Sequence, residues 1–591
     1  MVALVNEHGR GIYQRYDALA KQELETLLAT GAADPDSLSR IAQRYPLALS
    51  ASRALLTAAE RLEAEGQPIG ALSQYQQALA SAMTDDQRRA AAGALLVYYE
   101  GSNRRDEAMS LLTRLAREGA QVQPERGGEP TTIEQWRSVF LAMDAHADGA
   151  LDPPVALADP VVIPGRLLLP PPGLNPEALN GALLIHTAEG SVALMDASGR
   201  AAAWSVPVPG RQLYVLADDQ GQVLVWSVDA QRLVALDSAT GEILWDQPTD
   251  LSVLSEEPEG VHAGQANVGR VLPEELPFVS VGPSVICFTA RSGRVVGVDR
   301  YRGAVRWSVE TGVPSVTAVA VDPWTLVVAG ILGPEIDLSR GKLVLLDLYT
   351  GSPVLDRVDL HVGFRPQVIG LDAGRLVAVG QRGARVTVFD AATGETQWQQ
   401  TLSDKPATPN GLAHGGVVAV ENTAGMVQVM RLDEPASVIS RFRIALEGGA
   451  GDAEMRRMGD GLVVFGAHGV VAIAPDGKVR WRDAPRVGGG AVHQALAGNS
   501  RVALIASIDA AGNPDLLLAQ GQHVSYRIDL ISRASGLLEH TYTLGPVHGP
   551  LDPRRAAITH AGLAIAMGPQ TMLIPPAPIP ATDTGDTAGR R

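Results

Sequence analysis

The sequence is short of most features that announce chemistry. Its 591 residues hold one cysteine, Cys287, so no internal disulfide, Cys-ligated zinc site or Cys-x-x-Cys-His haem attachment can be built from it. That cysteine lies in the apolar run "PSVICFTA", where a buried, inert thiol is the expected reading. No apolar run approaches the roughly 18 residues of a membrane-spanning helix, and residues 1–20 hold none of the about 7 to 15 that a secretory signal carries. Positive charge is scarce, with 49 Lys and Arg against 65 Asp and Glu for a net −16, and no basic stripe relieves it. Such a surface repels a phosphate backbone, which argues against nucleic acid as a partner. The 12 histidines are scattered without a His-x-x-x-His pair, and neither a Gly-x-Ser-x-Gly elbow nor a Walker loop occurs. Aromatics amount to 4%, with 8 tryptophans. What is plentiful is backbone punctuation, 62 Gly and 39 Pro, in a chain whose 46% hydrophobic and 19% charged residues are globular values.

Two periodicities divide the chain near residue 150. Over 10–146 apolar residues recur every three to four positions among Ala, Leu, Glu, Arg and Gln, which predicts helices over 10–29, 35–44, 48–65, 68–82, 85–99, 104–117 and 131–145. The short connections "EGQP" and "EGSN" predict antiparallel pairs. Ala59, Ala71, Ala78, Gly66 and Tyr75, then Leu96, Ala108 and Leu112, fall where small and bulky residues alternate in tetratricopeptide repeats, which this region resembles in a degenerate form. A plain helical bundle is the alternative that these residues leave open.

Beyond 150 the pattern becomes apolar runs of five to seven residues bounded by Gly, Asp and Pro, the mark of short strands. One segment recurs: strand, Asp, a tight turn with Gly, then a second strand with Trp. It reads "VALMDASGRAAAW", "VALDSATGEILW", "VGVDRYRGAVRW", "VTVFDAATGETQW" and "VVAIAPDGKVRW". Asp196, Asp237, Asp299 and Asp390 each precede by eight residues Trp204, Trp245, Trp307 and Trp398; Trp481 ends the fifth copy, and Gly241, Gly303, Gly394 and Gly477 sit in the turns. Weaker copies keep Asp347 with Leu355, Asp433, and Gly536 with His540. Intervals of 41 to 62 residues suit four-stranded propeller blades. A Gly takes the positive φ of such a turn, Asp and Thr bond its amides, and a Trp on the outer strand packs against the neighbouring blade.

These residues resemble the tryptophan-docking repeats of the pyrroloquinoline-quinone (PQQ) dehydrogenases and of the propeller subunit of the bacterial outer-membrane barrel-assembly machinery. The Asp-x-x-Thr-Gly-x-x-x-Trp form is whole at Asp237, Thr240, Gly241, Trp245 and at Asp390, Thr393, Gly394, Trp398. The resemblance implies an eight-bladed propeller over roughly 160–576. It also implies work in the cell envelope, although residues 1–20 show no signal and no cysteine near the start that would take a lipid. The quinone enzymes set a disulfide of adjacent cysteines over the cofactor, which Cys287 alone cannot make, so no catalytic, cofactor or metal residue is carried over.

Three further features complete the reading. "DAHADGALD" (144–152) places Asp144, His146, Asp148, Gly149 and Asp152 at calcium-loop positions, but Val155 stands where the bidentate Glu belongs, so a solvated linker is expected. "VGGGAVH" (487–493) has no strand-loop-helix context and reads as a loop. Insertions at 251–277, 333–341 and 508–522 should emerge on one face of the ring, a partner-binding face, and "PVVIPGRLLLP" (160–170) should help close the last blade. The chain is therefore read as a tetratricopeptide-like helical domain (1–150), an all-β eight-bladed propeller (151–576) and a disordered tail (577–591). It is taken for a non-catalytic scaffold for other proteins or peptides; a PQQ- and calcium-dependent alcohol or sugar dehydrogenase, and a carbohydrate or polymer binder, are the alternatives.

Overall fold

The computed structural model describes residues 10–577 apart from 32, 119–122, 144–150, 172–173, 175–180, 250–275, 332–340, 361–365, 373, 381–384, 392, 403–410, 423–424, 434–437, 445–452, 467–468, 484–491, 509–523 and 546–550. The helical pattern yields α1 (Gln14–Thr30), α2 (Pro35–Arg44), α3 (Leu49–Ala64), α4 (Pro68–Ala80), α5 (Asp85–Gly101), α6 (Arg105–Glu118) and α7 (Ile133–Ala142). Their ends follow from local chemistry. Asp34 accepts the Ser37 amide at 2.8 Å to start α2, and Thr84 and Thr132 form reciprocal boxes with Gln87 and Gln135 at α5 and α7. A hairpin of Glu125–Arg126 and Glu129–Pro130, which periodicity did not foretell, lies on α5 at Gly93. A Cβ there would stand 2.2 Å from the Glu125 carbonyl oxygen.

Past residue 160 the described chain forms nine four-stranded antiparallel sheets, so the expectation of eight blades is corrected to nine. Blades 1 to 8 span 166–207, 213–248, 278–310, 315–360, 366–401, 411–443, 454–483 and 492–544, each running from its innermost to its outermost strand. Blade 9 takes three strands, Leu551–Thr559, Gly562–Met567 and Gln570–Ile574, from the end of the domain and its outer strand, Val161–Pro164, from the beginning. Val161 pairs with Leu573 and Pro164 with Gln570. The expected closure by residues 160–170 is thus present. The eight repeat segments mark blades 1 to 8; blade 9 has no hairpin between its third and fourth strands and so no such segment, and the expected total of eight came from the resembling families.

The core lies between blades rather than within them. The second strands are buried on both sides, as at Gln222–Ser227 and Gly461–Gly466, and each pair of neighbours shares one apolar cluster. At the ring's seam this is Ile163, Leu573 and Ala564 of blade 9 against Leu167, Ile185 and Ala193 of blade 1. Sheets of this size cannot bury both faces alone, so stability is a sum over neighbours. The up-and-down order also sorts the connections. Turns joining strands one to two and three to four open on one face of the ring, here the turn face. Those joining strands two to three, and one blade to the next, open on the opposite connection face.

Ring closure should depend on Ile163, which is 3% exposed, and not on its neighbour Val162, which is 48% exposed. Ile163→Ala is expected to lower the stability read by chemical denaturation by about 2–5 kcal/mol, and Val162→Ala to change it by less than about 0.5 kcal/mol.

Candidate functional site

The repeated Asp, Gly and Trp residues form one device that joins two blades. Each indole donates to a backbone carbonyl in the following blade: Trp204 to Ser238 at 3.0 Å, Trp245 to Arg300 at 3.0 Å, Trp307 to Leu348 at 3.1 Å, Trp398 to Leu432 at 3.0 Å and Trp481 to Arg533 at 2.7 Å. Beneath four of the five rings, those of Trp204, Trp245, Trp307 and Trp481, lies the turn glycine of that next blade; the blade 6 turn under Trp398 has no glycine. A Cβ on Gly241 would meet the Trp204 ring at 2.6 Å, one on Gly303 the Trp245 ring at 2.4 Å, and one on Gly536 the Trp481 ring at 2.6 Å. These glycines also hold positive φ, 73° at Gly241, 68° at Gly303 and 71° at Gly536, as does Gly394 at 70°, which follows the Leu355 blade. The glycine is therefore needed twice, for the turn and as the seat of the preceding blade's tryptophan. The second role was not read from the sequence, although the shared period of Trp and Gly carries it. Gly477 differs: an added Cβ meets Ile439 at 2.6 Å, and Ser440, which occupies the tryptophan slot of blade 6, donates to the Gly477 carbonyl at 2.9 Å.

The carboxylates brace the same turns. One oxygen of Asp196 accepts the Ser198 hydroxyl at 2.7 Å, Asp237 accepts the Thr240 amide at 2.8 Å, Asp299 that of Tyr301 at 2.7 Å, and Asp390 that of Thr393 at 3.0 Å. The Ser198 hydroxyl, with the turn amides, holds the Asp196 carboxyl below the usual carboxylate range. The blade 6 assignment needs correction. Trp398 docks on Leu432, and Val417 pairs with Arg431 as Val285 pairs with Asp299, so the frame position is Arg431 and not Asp433. Asp433 instead accepts from the Arg431 guanidinium at 2.8 Å.

On blades 3 and 4 the second carboxylate oxygen turns to the helices. Asp299 accepts from Ser73 of α4 at 3.2 Å and also from Arg306, whose guanidinium reaches the Ser73 hydroxyl at 2.7 Å. Asp347 accepts from Arg114 of α6 at 2.9 Å, and that guanidinium stands over the Trp324 ring at 5.3 Å. Gln76 of α4 is wholly buried and donates to the Tyr349 hydroxyl at 2.6 Å and to the Tyr99 hydroxyl at 3.3 Å, while its carbonyl accepts from Ser284. Burial pushes the Tyr99 and Tyr349 hydroxyls well up from their ordinary range, so both stay neutral donors. Leu72, Tyr99, Ala108 and Leu111 join Val313, Trp324, Leu348 and Tyr349 in one apolar cluster. At Gly70 the helix comes so close that a Cβ would lie 2.8 Å from the Tyr301 ring. The helical arm is thus built onto the turn face over blades 3 and 4. Beside this seam opens a cleft of about 360 Å³ lined by Arg88, Arg114, Asp347 and Val354.

The insertions flank the other face. Residues 251–277, 333–341 and 508–522 lie largely outside the described residues, but the strands before and after them end at the blade 2 to blade 3 crossing and at the second-to-third strand turns of blades 4 and 8. All three positions open on the connection face. Of the calcium-loop residues, Asp144, His146, Asp148 and Gly149 lie outside the described residues, while Asp152 accepts the Ser500 amide at 2.6 Å on blade 8. "VGGGAVH" is described only from Val492, which opens the inner strand of blade 8, and the tail only to Ala577, whose amide donates to Ala156 at 2.8 Å. Burial pushes the Cys287 thiol far up, away from the nucleophilic thiolate. Among the described residues no three His, Cys, Asp or Glu side chains gather where they could hold a metal ion.

A ring of antiparallel blades locked by indoles on turn glycines is a propeller of the tryptophan-docking class. A family model described as outer membrane protein assembly factor BamB matches residues 170–329 and 339–484, and the chain belongs to that family. Among solved structures, BamB from Moraxella catarrhalis is similar at 19% identity over 59% of this chain and 96% of that one, with a TM-score of 0.35. The computationally designed Ika8 protein is similar at 14% identity over 62% and 98%, TM-score 0.39, and Sqt1 of Saccharomyces cerevisiae at 10% over 60% and 93%, TM-score 0.37. No curated protein matches the sequence.

Two measurements check this geometry. Gly221 has φ 77° with nothing within 4 Å of an added Cβ, so Gly221→Ala reports the backbone cost alone, about 1 kcal/mol. Gly303→Ala should cost at least about 1 kcal/mol more by the same denaturation assay, because the Trp245 ring must move. Separately, Gln76→Ala should speed amide hydrogen exchange along α4, since it removes the donor to the Tyr349 hydroxyl, which keeps only the Pro323 carbonyl, and the acceptor of the Ser284 hydroxyl. Exchange in the strands of blade 7, on the far side of the ring, should not change.

Proposed function

We propose that this chain is a non-catalytic protein-interaction scaffold of the bacterial cell envelope, acting in outer-membrane protein assembly. The observation that carries the reading is the division of labour between the two faces of the ring. A buried polar seam commits blades 3 and 4 of the turn face to the helical arm, while the strands flanking all three insertions end on the connection face. Membership of a family described by outer-membrane assembly supports the cellular setting. The residues that recur most strictly are engaged in joining blades, which supports architecture over turnover as their role. In this reading the connection face and the outer helical surface receive partners, and the ring holds the two at a fixed distance.

The test uses the full chain and the barrel-forming subunit of the assembly machinery from the same bacterium, with affinity measured by surface plasmon resonance. Replacing 251–277, 333–341 or 508–522 by a short turn is expected to weaken capture at least about tenfold, or about 1.4 kcal/mol, for at least one of the three. Capture unchanged in all three variants would remove the connection face from the proposal, and no capture by the unaltered chain would remove the assembly role. Dye-linked oxidation of an alcohol or sugar after addition of PQQ and calcium would overturn the non-catalytic reading.

A further inference from the structure

The inner wall of the ring is strongly asymmetric in charge. Every arginine on a described innermost strand belongs to three blades of one sector: Arg456 and Arg457 on blade 7, Arg554 and Arg555 on blade 9, and Arg166 on blade 1. The innermost strands of blades 2 to 6, Leu213–Asp219, Phe278–Val281, Ser315–Val321, Pro366–Asp372 and Gly411–His414, contain neither Arg nor Lys. Against the five arginines of the sector stand two carboxylates on the same strands, Glu454 and Asp552. In a chain of net charge −16 this is a marked local reversal.

The blade 9 strand shows how the sector is built. Innermost strands of this ring commonly carry a one-residue bulge, at Leu216 in blade 2, Thr317 in blade 4 and His493 in blade 8. In blade 9 the ladder passes from Asp552 opposite Ala566 directly to Ala556 opposite Ile565, so Pro553, Arg554 and Arg555 all leave the pairing. The bulge is held by its neighbours: the Asp552 carboxylate accepts the Arg554 amide at 3.2 Å, and Gln494 of blade 8 donates to the Arg554 carbonyl at 3.1 Å. Arg554 is exposed and Arg555 half-buried, and Arg457 is exposed on blade 7. Bulges re-aim side chains, and this one is braced by two side chains with two guanidiniums at its crest. It lies in the half of the strand that begins at the connection face, away from the arm.

We propose that this basic sector binds an acidic, extended segment of a protein partner entering the ring from the connection face. The inference rests on the scaffold reading and names the chemistry of its partner. Guanidinium forks match carboxylates, and the innermost strand of every blade is a free sheet edge facing the axis. An extended peptide can meet that edge with its own amides and carbonyls, as a phosphate polymer cannot. The other described innermost strands carry no Arg or Lys, and those of blades 2 and 5 carry Asp218, Asp219 and Asp372, so a carboxylate-rich segment is confined to this sector.

The experiment is fluorescence anisotropy of a labelled oligoglutamate peptide added to the full chain, with oligoglutamine and inorganic polyphosphate as comparisons. Saturable oligoglutamate binding that weakens with salt is expected. It should fall by about tenfold or more in Arg554→Ala/Arg555→Ala, recover in part in Arg554→Lys/Arg555→Lys, and fall less in Arg457→Ala. Retention of the parent's thermal midpoint shows that the loss is not unfolding. Failure of oligoglutamate to bind, equal binding by the double alanine variant, or tighter binding of polyphosphate at matched charge would overturn the proposal. Capture of the barrel subunit is measured on the same preparations, so failure of oligoglutamate to bind the unaltered chain with capture retained defeats the inference and leaves the scaffold standing.

Discussion

An indole ring lying on a glycine, with its N–H on the carbonyl of the same turn, sets the conditions for everything else in this molecule. The turn must hold positive φ to present a flat, side-chain-free seat, so the residue is Gly, as at Gly241 and Gly303. The carbonyl must face outward at a fixed place, so the Asp side chain holds the amides of the turn, as Asp237 holds that of Thr240. The Trp must stand where the outer strand is bent toward its neighbour, and at Trp245 the register shifts by one residue to do so, between Ala235 and Leu236 of the partner strand. The Trp of one blade and the Gly and Asp of one turn in the next thus form the device only across two blades. The unit of stability is the interface, and a single blade has no meaning as a folded object.

That dependence sets what could be read beforehand. The helices were legible because their periodicity and caps are local: Pro35 after Asp34, and Thr84 three residues before Gln87, mark their own ends. The tryptophan repeat was legible because it recurs at one spacing. Closure of the last blade by residues 160–170 was legible too, and Val161–Pro164 does pair with Gln570–Ile574 from the other end of the domain; the count of eight was taken from the resembling families, since no local hairpin marks the ninth blade. The frame of blade 6 was misjudged at Asp433 because the eye follows a carboxylate, whereas the docked carbonyl of Leu432 places Arg431 in register. A spacing argument sees residue types; it does not see which backbone atom the neighbour uses.

The arm's position was hidden for a different reason. Ser73 and Gln76 are ordinary polar residues of an Ala-rich helix, and nothing within α4 distinguishes them from solvent-facing positions. Their partners lie 226 and 273 residues away, at Asp299 and Tyr349. The propeller needed no new motif to receive them. A turn aspartate uses one oxygen to brace its own amides, and the other is free to serve a neighbour; on blades 3 and 4 Ser73 and Arg114 take it. A repeat that is purely architectural in most blades becomes a docking point in two by reuse of an oxygen that the architecture leaves idle.

The same logic bears on where function can reside. Side chains that close the ring are held by packing and bonding from both sides, and changing them costs the fold before it alters any recognition. Freedom to vary lies where the repeat makes no demand: in connections between blades, on the outer helices, and on the innermost strands, whose edges have no sheet partner. Blade 9 is the least constrained of all, since its outer strand arrives independently and its turn motif is missing. It is there that the inner strand departs most from regular pairing, releasing Pro553, Arg554 and Arg555 from the ladder. The blade that closes the ring is thus also the one whose inner edge is free to carry chemistry the repeat does not specify.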